Sequence, residues 1–182
     1  MEVYTRKHRE FSLCGLNCSL CPRYHTEGLS RCPGYGGEDF SQKHPSCGVI
    51  SCSKRNGRIE YCFECKQYPC LRYTKENEKD SFITYRDVTK NLNKAEEDID
   101  EYLRDLEEKE RLLGFLLEKY DNGRLKNFYC IAVNLLKAGD INDVVEMAEK
   151  EGNYKNENMI KVIKEGIEAM AKARGIEIRL RK

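Results

Sequence analysis

Cys14-Gly15-Leu16-Asn17-Cys18-Ser19-Leu20-Cys21-Pro22 and Tyr61-Cys62-Phe63-Glu64-Cys65-Lys66-Gln67-Tyr68-Pro69-Cys70 decide how this chain is read. Each contains a Cys-x-x-Cys pair, the spacing at which a tight turn directs two sulfurs toward one ion. Cys32, Cys47 and Cys52 lie between them, so nine of the ten cysteines fall within residues 14–70 and only Cys130 lies beyond. The same stretch is rich in Gly, Pro, Ser and Asn and has no sustained apolar period of two or 3.6. It therefore reads as turns and very short strands, with Ile59, Tyr61 and Phe63 alternating as one such strand. Its apolar content is too small for it to fold unaided. Metal coordination supplies the missing stability in small domains of this kind, about 10–16 kcal/mol for structural zinc peptides.

Working outward, the first residues, Met1 to Phe11, are charged throughout and lack the apolar stretch of a secretory signal. No later run approaches the roughly 18 apolar residues of a membrane span. The expectation is a soluble, cytoplasmic protein. A reducing compartment disfavours structural disulfides, and nine cysteines pair poorly, so the cluster reads as metal-binding rather than as inert thiols or a disulfide framework. Residues 1–72 carry 11 Lys and Arg against 7 Asp and Glu, net +4, while residues 73–182 carry 21 against 24, net −3. Eight thiolates on two Zn²⁺ ions would cancel the basic excess of the first segment, which leaves no strong field for nucleic acid.

Residues 74–81 are wholly polar and read as a linker or an exposed helix entry, after which the composition turns helical. Leu92, Ile99, Leu106, Leu113 and Tyr120 recur at intervals of seven, with Ala95, Leu103 and Leu116/Leu117 in the second seam position. This describes one long amphipathic helix, interrupted on its seam by Lys109 and Glu110. Asp121-Asn122-Gly123 stops it. Leu125, Phe128, Tyr129, Ala132, Leu135 and Leu136 mark a second helix. Ile141, Val144, Val145 and Ala148 mark a third, and Ile160, Ile163, Ile167 and Met170 a fourth. Gly139, Gly152 and Gly175 punctuate the ends, and Cys130, at helical spacing, belongs to the core. Ile176-Glu177-Ile178-Arg179-Leu180 alternates and reads as a short terminal strand. No internal repeat is visible. The expected fold is mainly α: a small, irregular, metal-stabilised Cys-rich module at 1–73 and a helical domain at 74–182, built as a four-helix array plus that strand.

Cys18, Cys21, Cys32, Cys47, Cys52, Cys62, Cys65 and Cys70 supply ligands for two tetrahedral Cys₄ sites, with Cys14 a ninth, spare or alternative. His44, three residues before Cys47, or His25, four after Cys21, is able to replace one thiolate. Loop exposure is the plainer reading of both histidines. Zinc, one or two ions, is favoured because it suits purely structural sites, while a [4Fe–4S] cluster in a redox or sensing protein is the alternative cofactor. The run Cys14-x₃-Cys18-x₂-Cys21 resembles the cluster motif of radical S-adenosylmethionine enzymes, but six further cysteines and a helical remainder contradict that setting. Neither Cys-x-x-Cys has the strand and helix N-terminus of a redox dithiol.

The ordered set Cys14-Gly15-Leu16-x-Cys18-x-x-Cys21-Pro22, then Tyr61-Cys62-Phe63-Glu64-Cys65-x-x-Tyr68-Pro69-Cys70, resembles DUF3795, an uncharacterised family of cysteine-rich prokaryotic proteins. The resemblance covers about residues 12–73 and implies zinc as the bound ion. In that family a Cys-x-Gly-Cys pair commonly stands mid-segment, whereas this chain has Cys32-Pro33-Gly34-Tyr35, so either His44 or Cys14 makes up the number of ligands or one of the two sites is absent. Residues 120–136 resemble a C-terminal extension of some relatives, with no activity attached.

No catalytic triad or isolated carboxylate pair can be assembled, and Pro33-Gly34-Tyr35-Gly36-Gly37 lacks the Lys-Ser/Thr and preceding strand of a phosphate loop. The sequence therefore reads as a zinc-binding binding or adaptor protein with a protein partner, no nucleic acid and no membrane. An iron–sulfur protein and an enzyme with an interdomain pocket are the alternatives.

Overall fold

The strongly periodic stretch after residue 80 folds as helices, as the spacing of its apolar residues demands. A computed structural model describes residues 5–44, 46–74, 79–150 and 156–182. Residues 75–78 of the expected linker and Gly152 lie outside the described residues. The helices are α1 (Phe40–Lys43), α2 (Gly48–Arg55), α3 (Leu71–Thr74), α4 (Val88–Glu97), α5 (Ile99–Tyr120), α6 (Lys126–Leu135), α7 (Ala138–Lys150) and α8 (Asn156–Ala173). No described helix is long and apolar enough to cross a membrane.

The heptad seam is real, but it is not one helix. Leu92 and Ala95 of α4 and Leu106, Leu113, Leu116 and Tyr120 of α5 are buried as expected. Between them Asp98 is extended, at φ −154° and ψ 104°, and its Oδ1 accepts the Glu101 backbone N–H at 2.8 Å. A short acidic side chain in that position caps a new helix start and relieves an unpaired donor of its first turn. Apolar periodicity runs through the break because both helices bury the same side of the sequence.

By compactness the chain divides into two units, one reaching Leu106 and taking in Arg181–Lys182, the other spanning Glu107–Leu180. The compositional boundary near residue 74 separates chemistries and is a different division from this one. In the first unit Phe11, Leu13, Leu20 and Leu92 are fully buried. The Phe11 ring lies 4.6 Å from Tyr102 and 5.6 Å from Tyr61, centroid to centroid. Tyr102 Oη donates to Asn17 Oδ1 at 2.7 Å, and Asn91 Nδ2 donates to the Gly15 carbonyl at 3.0 Å. The cysteine-rich segment thus borrows a core from α4 and the start of α5. Aromatic side chains scattered among turns do the burying that a periodic pattern would have announced, and α4 and α5 complete it.

Two expected strands are absent. Ile59, Tyr61 and Phe63 form none, because Arg58 is left-handed at φ +59° and Cys62 opens a 3₁₀ turn. The tail at Ile176 to Leu180 keeps its alternation, with Ile176, Ile178 and Leu180 partly covered and Glu177 and Arg179 exposed, but it is not a strand. A strand needs a second chain to pair with, and the only β pairing among the described residues is a single bridge between Phe11 and Asn17. The tail ends instead on Asp80, whose carboxylate accepts the Arg181 backbone N–H and its Nη2, each at 2.9 Å.

In the second unit, the rest of α5 joins α6, α7 and α8, the four helices expected. Asp121 Oδ1 accepts the N–H groups of Gly123 (3.0 Å) and Leu125 (2.8 Å), which turns the chain between α5 and α6. Tyr129, Ile141, Ile163 and Ile167 are fully buried, and Cys130 is core, as expected. α7 packs on α8, and a Cβ on Gly166 would stand only 2.6 Å from Val144 Cγ1.

Candidate metal centre

The two Cys-x-x-Cys pairs adopt one backbone design. Cys18–Leu20 and Cys62–Glu64 are single 3₁₀ turns, each closed onto the second cysteine: Cys21 N–H donates to the Cys18 carbonyl at 3.0 Å, and Cys65 N–H to the Cys62 carbonyl at 3.1 Å. Cys21 (φ −85°, ψ 137°) and Cys65 (φ −79°, ψ 130°) then leave the turn in the same extended conformation. In both, the tyrosine three residues on donates its N–H back to the second cysteine, Tyr24 to Cys21 and Tyr68 to Cys65, each at 2.9 Å. Here is an internal repeat, Cys-x-x-Cys-x-x-Tyr, that the sequence reading did not find. Seven positions with three identities are too few to stand out in a chain of 182 residues.

Leu13 ties the two turns together, since its carbonyl accepts the Cys62 N–H at 2.9 Å. Cys52, at the end of α2, joins the second turn. With Cys62, Cys65 and Cys70 it lines one cavity of about 30 Å³, walled also by Tyr68 and Tyr73. The remaining cysteines lie toward the first turn. Burial pushes the Cys18 thiol well up, and the charges of Cys14, Cys21 and Cys32 push it further, which places those three sulfurs within electrostatic reach of it. Cys14 is raised by burial and by Cys47, and Cys21 by burial and by Cys32. Cys62 is pushed up to about 12, by burial first and then by Cys14, Cys70 and Cys52. Cys14 therefore lies within reach of both groups.

All nine sulfurs are free thiols. Polar groups are directed at several of them. Ser12 Oγ lies 3.1 Å from Cys14 Sγ, and Tyr35 Oη 3.0 Å from Cys47 Sγ. Asn56 Nδ2 donates to Cys52 Sγ at 3.5 Å. Sequence reasoning missed these partners, because a hydroxyl reaching a sulfur leaves no spacing signal. The histidines are otherwise engaged: His25 Nε2 lies 2.6 Å from the Ser19 carbonyl oxygen, and the His44 ring stacks on Phe40.

Do these residues fit a thiophilic ion? The donor chemistry does. Burial and crowding of the thiols raise the cost of ionising them, and an adjacent divalent charge reverses that cost. The convergence is not reached: among the described residues no group of three or more His, Cys, Asp or Glu side chains is drawn into a metal-holding set. A tetrahedral sulfur set with metal bonds of about 2.3 Å needs sulfurs about 3.8 Å apart, so closure would require side-chain rotation on backbone turns already in place.

No curated protein and no solved structure matches the chain. Residues 10–75, which hold both turns, match the family described as protein of unknown function (DUF3795), and this cysteine-rich segment belongs to it.

Proposed function

We propose that the segment binds two thiophilic metal ions, zinc foremost, and that the protein is a metal-stabilised binding or adaptor module of the cytoplasm. The observation that carries the reading is the duplicated Cys-x-x-Cys-x-x-Tyr turn, with Cys52, Cys62, Cys65 and Cys70 around one cavity. Those four are the first ligand set. Cys18, Cys21, Cys32 and either Cys47 or Cys14 are the second, with the tyrosine at position 35 standing where a cysteine would have completed the set locally.

Zinc would be held by thiolates, and its contribution is charge and four directed bonds. A set of four sulfurs leaves no open coordination position of the kind a catalytic zinc keeps, which favours a structural over a catalytic role. Leu29, three residues before Cys32, and Leu71, directly after Cys70, expose 96% and 75% of their surface, apolar area suited to a protein partner.

The polar groups aimed at Cys14, Cys47 and Cys52 favour an iron–sulfur cluster as the second reading, since hydrogen bonds to sulfur tune such clusters. Metal by mass on anaerobically purified, full-length protein separates the two. Two zinc ions per chain and no colour support the first reading, while stoichiometric iron and sulfide with visible absorption support the second. Protein that carries neither, and takes up neither when reduced, refutes both.

A further inference from the structure

The last residues carry the periodicity of a strand, and among the described residues nothing pairs with them as one. In Ile176-Glu177-Ile178-Arg179-Leu180 the three apolar side chains are partly covered, whereas Glu177 and Arg179 stand exposed and are joined to each other, Arg179 Nε to Glu177 Oε1 at 2.7 Å. The backbone is one-sided as well. Along an extended chain successive residues offer their N–H and C=O groups to opposite edges. The odd-numbered edge is in use: Asp80 N–H donates to the Arg181 carbonyl at 3.0 Å, Arg181 N–H to the Asp80 carboxylate at 2.9 Å, and Arg179 N–H to the Glu177 carbonyl at 3.0 Å. On the even-numbered edge Ile176 N–H closes α8 on the Ala171 carbonyl at 2.8 Å. Beyond it, the N–H groups of Ile178 and Leu180 and the carbonyls of Ile176 and Ile178 make no hydrogen bond among the described residues.

Two such tails laid antiparallel about Ile178 are complementary to each other. Ile178 faces Ile178, Ile176 faces Leu180, and Glu177 faces Arg179 on both sides of the axis. Parallel pairing in register would set Glu177 against Glu177 and Arg179 against Arg179, which is destabilising. We propose that the tail is the docking edge for a second copy of this chain, the two joined by antiparallel pairing of residues 176–180 about a twofold axis at Ile178. Each Ile178 exchanges its N–H and carbonyl with its mate, and each Leu180 N–H meets the partner's Ile176 carbonyl. The bend held by the Arg179 N–H straightens, at the cost of that one bond. Glu177 and Arg179 trade a pairing within one chain for two across the axis, and the apolar side chains of both tails merge into one face. The partner's Leu180 stands opposite Ile176, which with Ala171 and Ile178 lines an open cleft of about 470 Å³, and gives that cleft an apolar occupant. A pair of short strands buries little surface, so this dimer is a weak, reversible one. The inference stands apart from the cysteines and from any metal they hold.

The test is sedimentation equilibrium of the reduced, full-length chain from micromolar to submillimolar concentration, with amide hydrogen exchange at both ends of that range as a second readout. Wild type shifts from monomer to dimer, and the Ile178 and Leu180 amides slow as it does. Ile178→Pro removes a donor that the monomer does not use and weakens the dimer about 10-fold or more. Glu177→Arg and Arg179→Glu each set like charges face to face and weaken self-association by about 10-fold or more. Both positions are exposed, so these two chains decide the matter should Ile178→Pro fail to fold. Mixed one to one, the Glu177→Arg and Arg179→Glu chains restore opposite charges across the axis and pair with each other within about 3-fold of wild type. A wild-type chain that is still monomeric at submillimolar concentration, a dimer that the three variants leave intact, or charge variants that do not recover on mixing overturns the inference.

Discussion

The ammonium group of Lys109, on the buried seam of α5, donates to the Leu136 carbonyl at 2.9 Å and lies 3.4 Å from the Asn134 carbonyl. These are carbonyls at the end of α6, left without partners inside that helix, where the negative end of the helix dipole favours a cation. A lysine that interrupts an apolar heptad is therefore a helix cap supplied by a neighbouring element. Replacement by methionine keeps the stem and removes the donor. Lys109→Met should cost about 1.5–3 kcal/mol, the worth of hydrogen bonds to a charged group. Lys119→Met, at an exposed position of the same helix, should change stability by less than about 0.5 kcal/mol. Urea unfolding of the two variants checks this, and equal midpoints would refute the cap.

Gly15 joins the cysteine segment to α4 at a distance only glycine permits. A Cβ there would stand 2.3 Å from the Val88 carbonyl oxygen and 2.9 Å from Leu92 Cγ, and φ is +91°. Gly15→Ala combines a backbone penalty of about 1–2 kcal/mol with an overpacking cost of about 1–3 kcal/mol. Gly28 shares the positive φ, at +77°, but has nothing within 4 Å, so Gly28→Ala should show the backbone penalty alone. The expected order of urea midpoints is wild type, then Gly28→Ala, then Gly15→Ala well below both.

Asp80 makes stability depend on acid. Burial works to raise its carboxyl, but the bond from the Arg181 side chain and the backbone N–H groups of Arg181 and Tyr85 outweigh it and hold the group below the usual carboxylate range. A folded value lower than the unfolded one contributes stability that is complete above the unfolded value, near 3.9, and is lost as pH falls through the folded value. Asp80→Asn should lose about 1–2 kcal/mol at neutral pH. Its unfolding midpoint should also fall less than that of wild type between pH 5 and pH 2. Parallel pH profiles would show that the Asp80 charge does not hold the tail.

What could be read in the sequence follows from what repeats. The helices were legible because burial on a helix recurs at 3.6 residues, and Leu92 to Tyr120 kept that rhythm through the break at Asp98. The break itself had a local signature, Asp98-x-x-Glu101, which is easily lost beneath a continuous seam. The terminal strand was misread because alternation at Ile176, Ile178 and Leu180 reports which side is covered, and pairing depends on residues elsewhere. The cysteines stood out by number and spacing. Their grouping did not show, because Cys52 joins Cys62, Cys65 and Cys70 through the packing of α2, and Cys14 lies near both groups through Leu13 and the Cys62 N–H. The enclosure of Arg6, whose side chain is fully buried, did not show for the same reason: nothing in a charged opening segment sets it apart from its neighbours.

If the segment binds metal as proposed, removal of the ion should act locally. Phe11, Leu13, Leu20 and Leu92 are fully buried and Tyr102 is buried, so on that reading the first unit keeps a collapsed core without the ion, while the turns between Cys14 and Cys70, held mostly by single turn-closing hydrogen bonds, lose a restraint. The exposed basic residues Arg31, Lys54 and Arg55 lie within those turns and α2. Reduced protein treated with a strong chelator should therefore be cut by trypsin at these sites at least 10-fold faster than the metal-loaded protein, since local opening becomes cheap when the cross-links go. α6, α7 and α8 should stay protected, and helical circular dichroism should hardly change, because the cysteine segment holds only short helices. Mass mapping of the fragments reads the outcome. Identical cleavage with and without chelator would mean that the aromatic core alone restrains the turns, and the metal would then have no structural role to play in them.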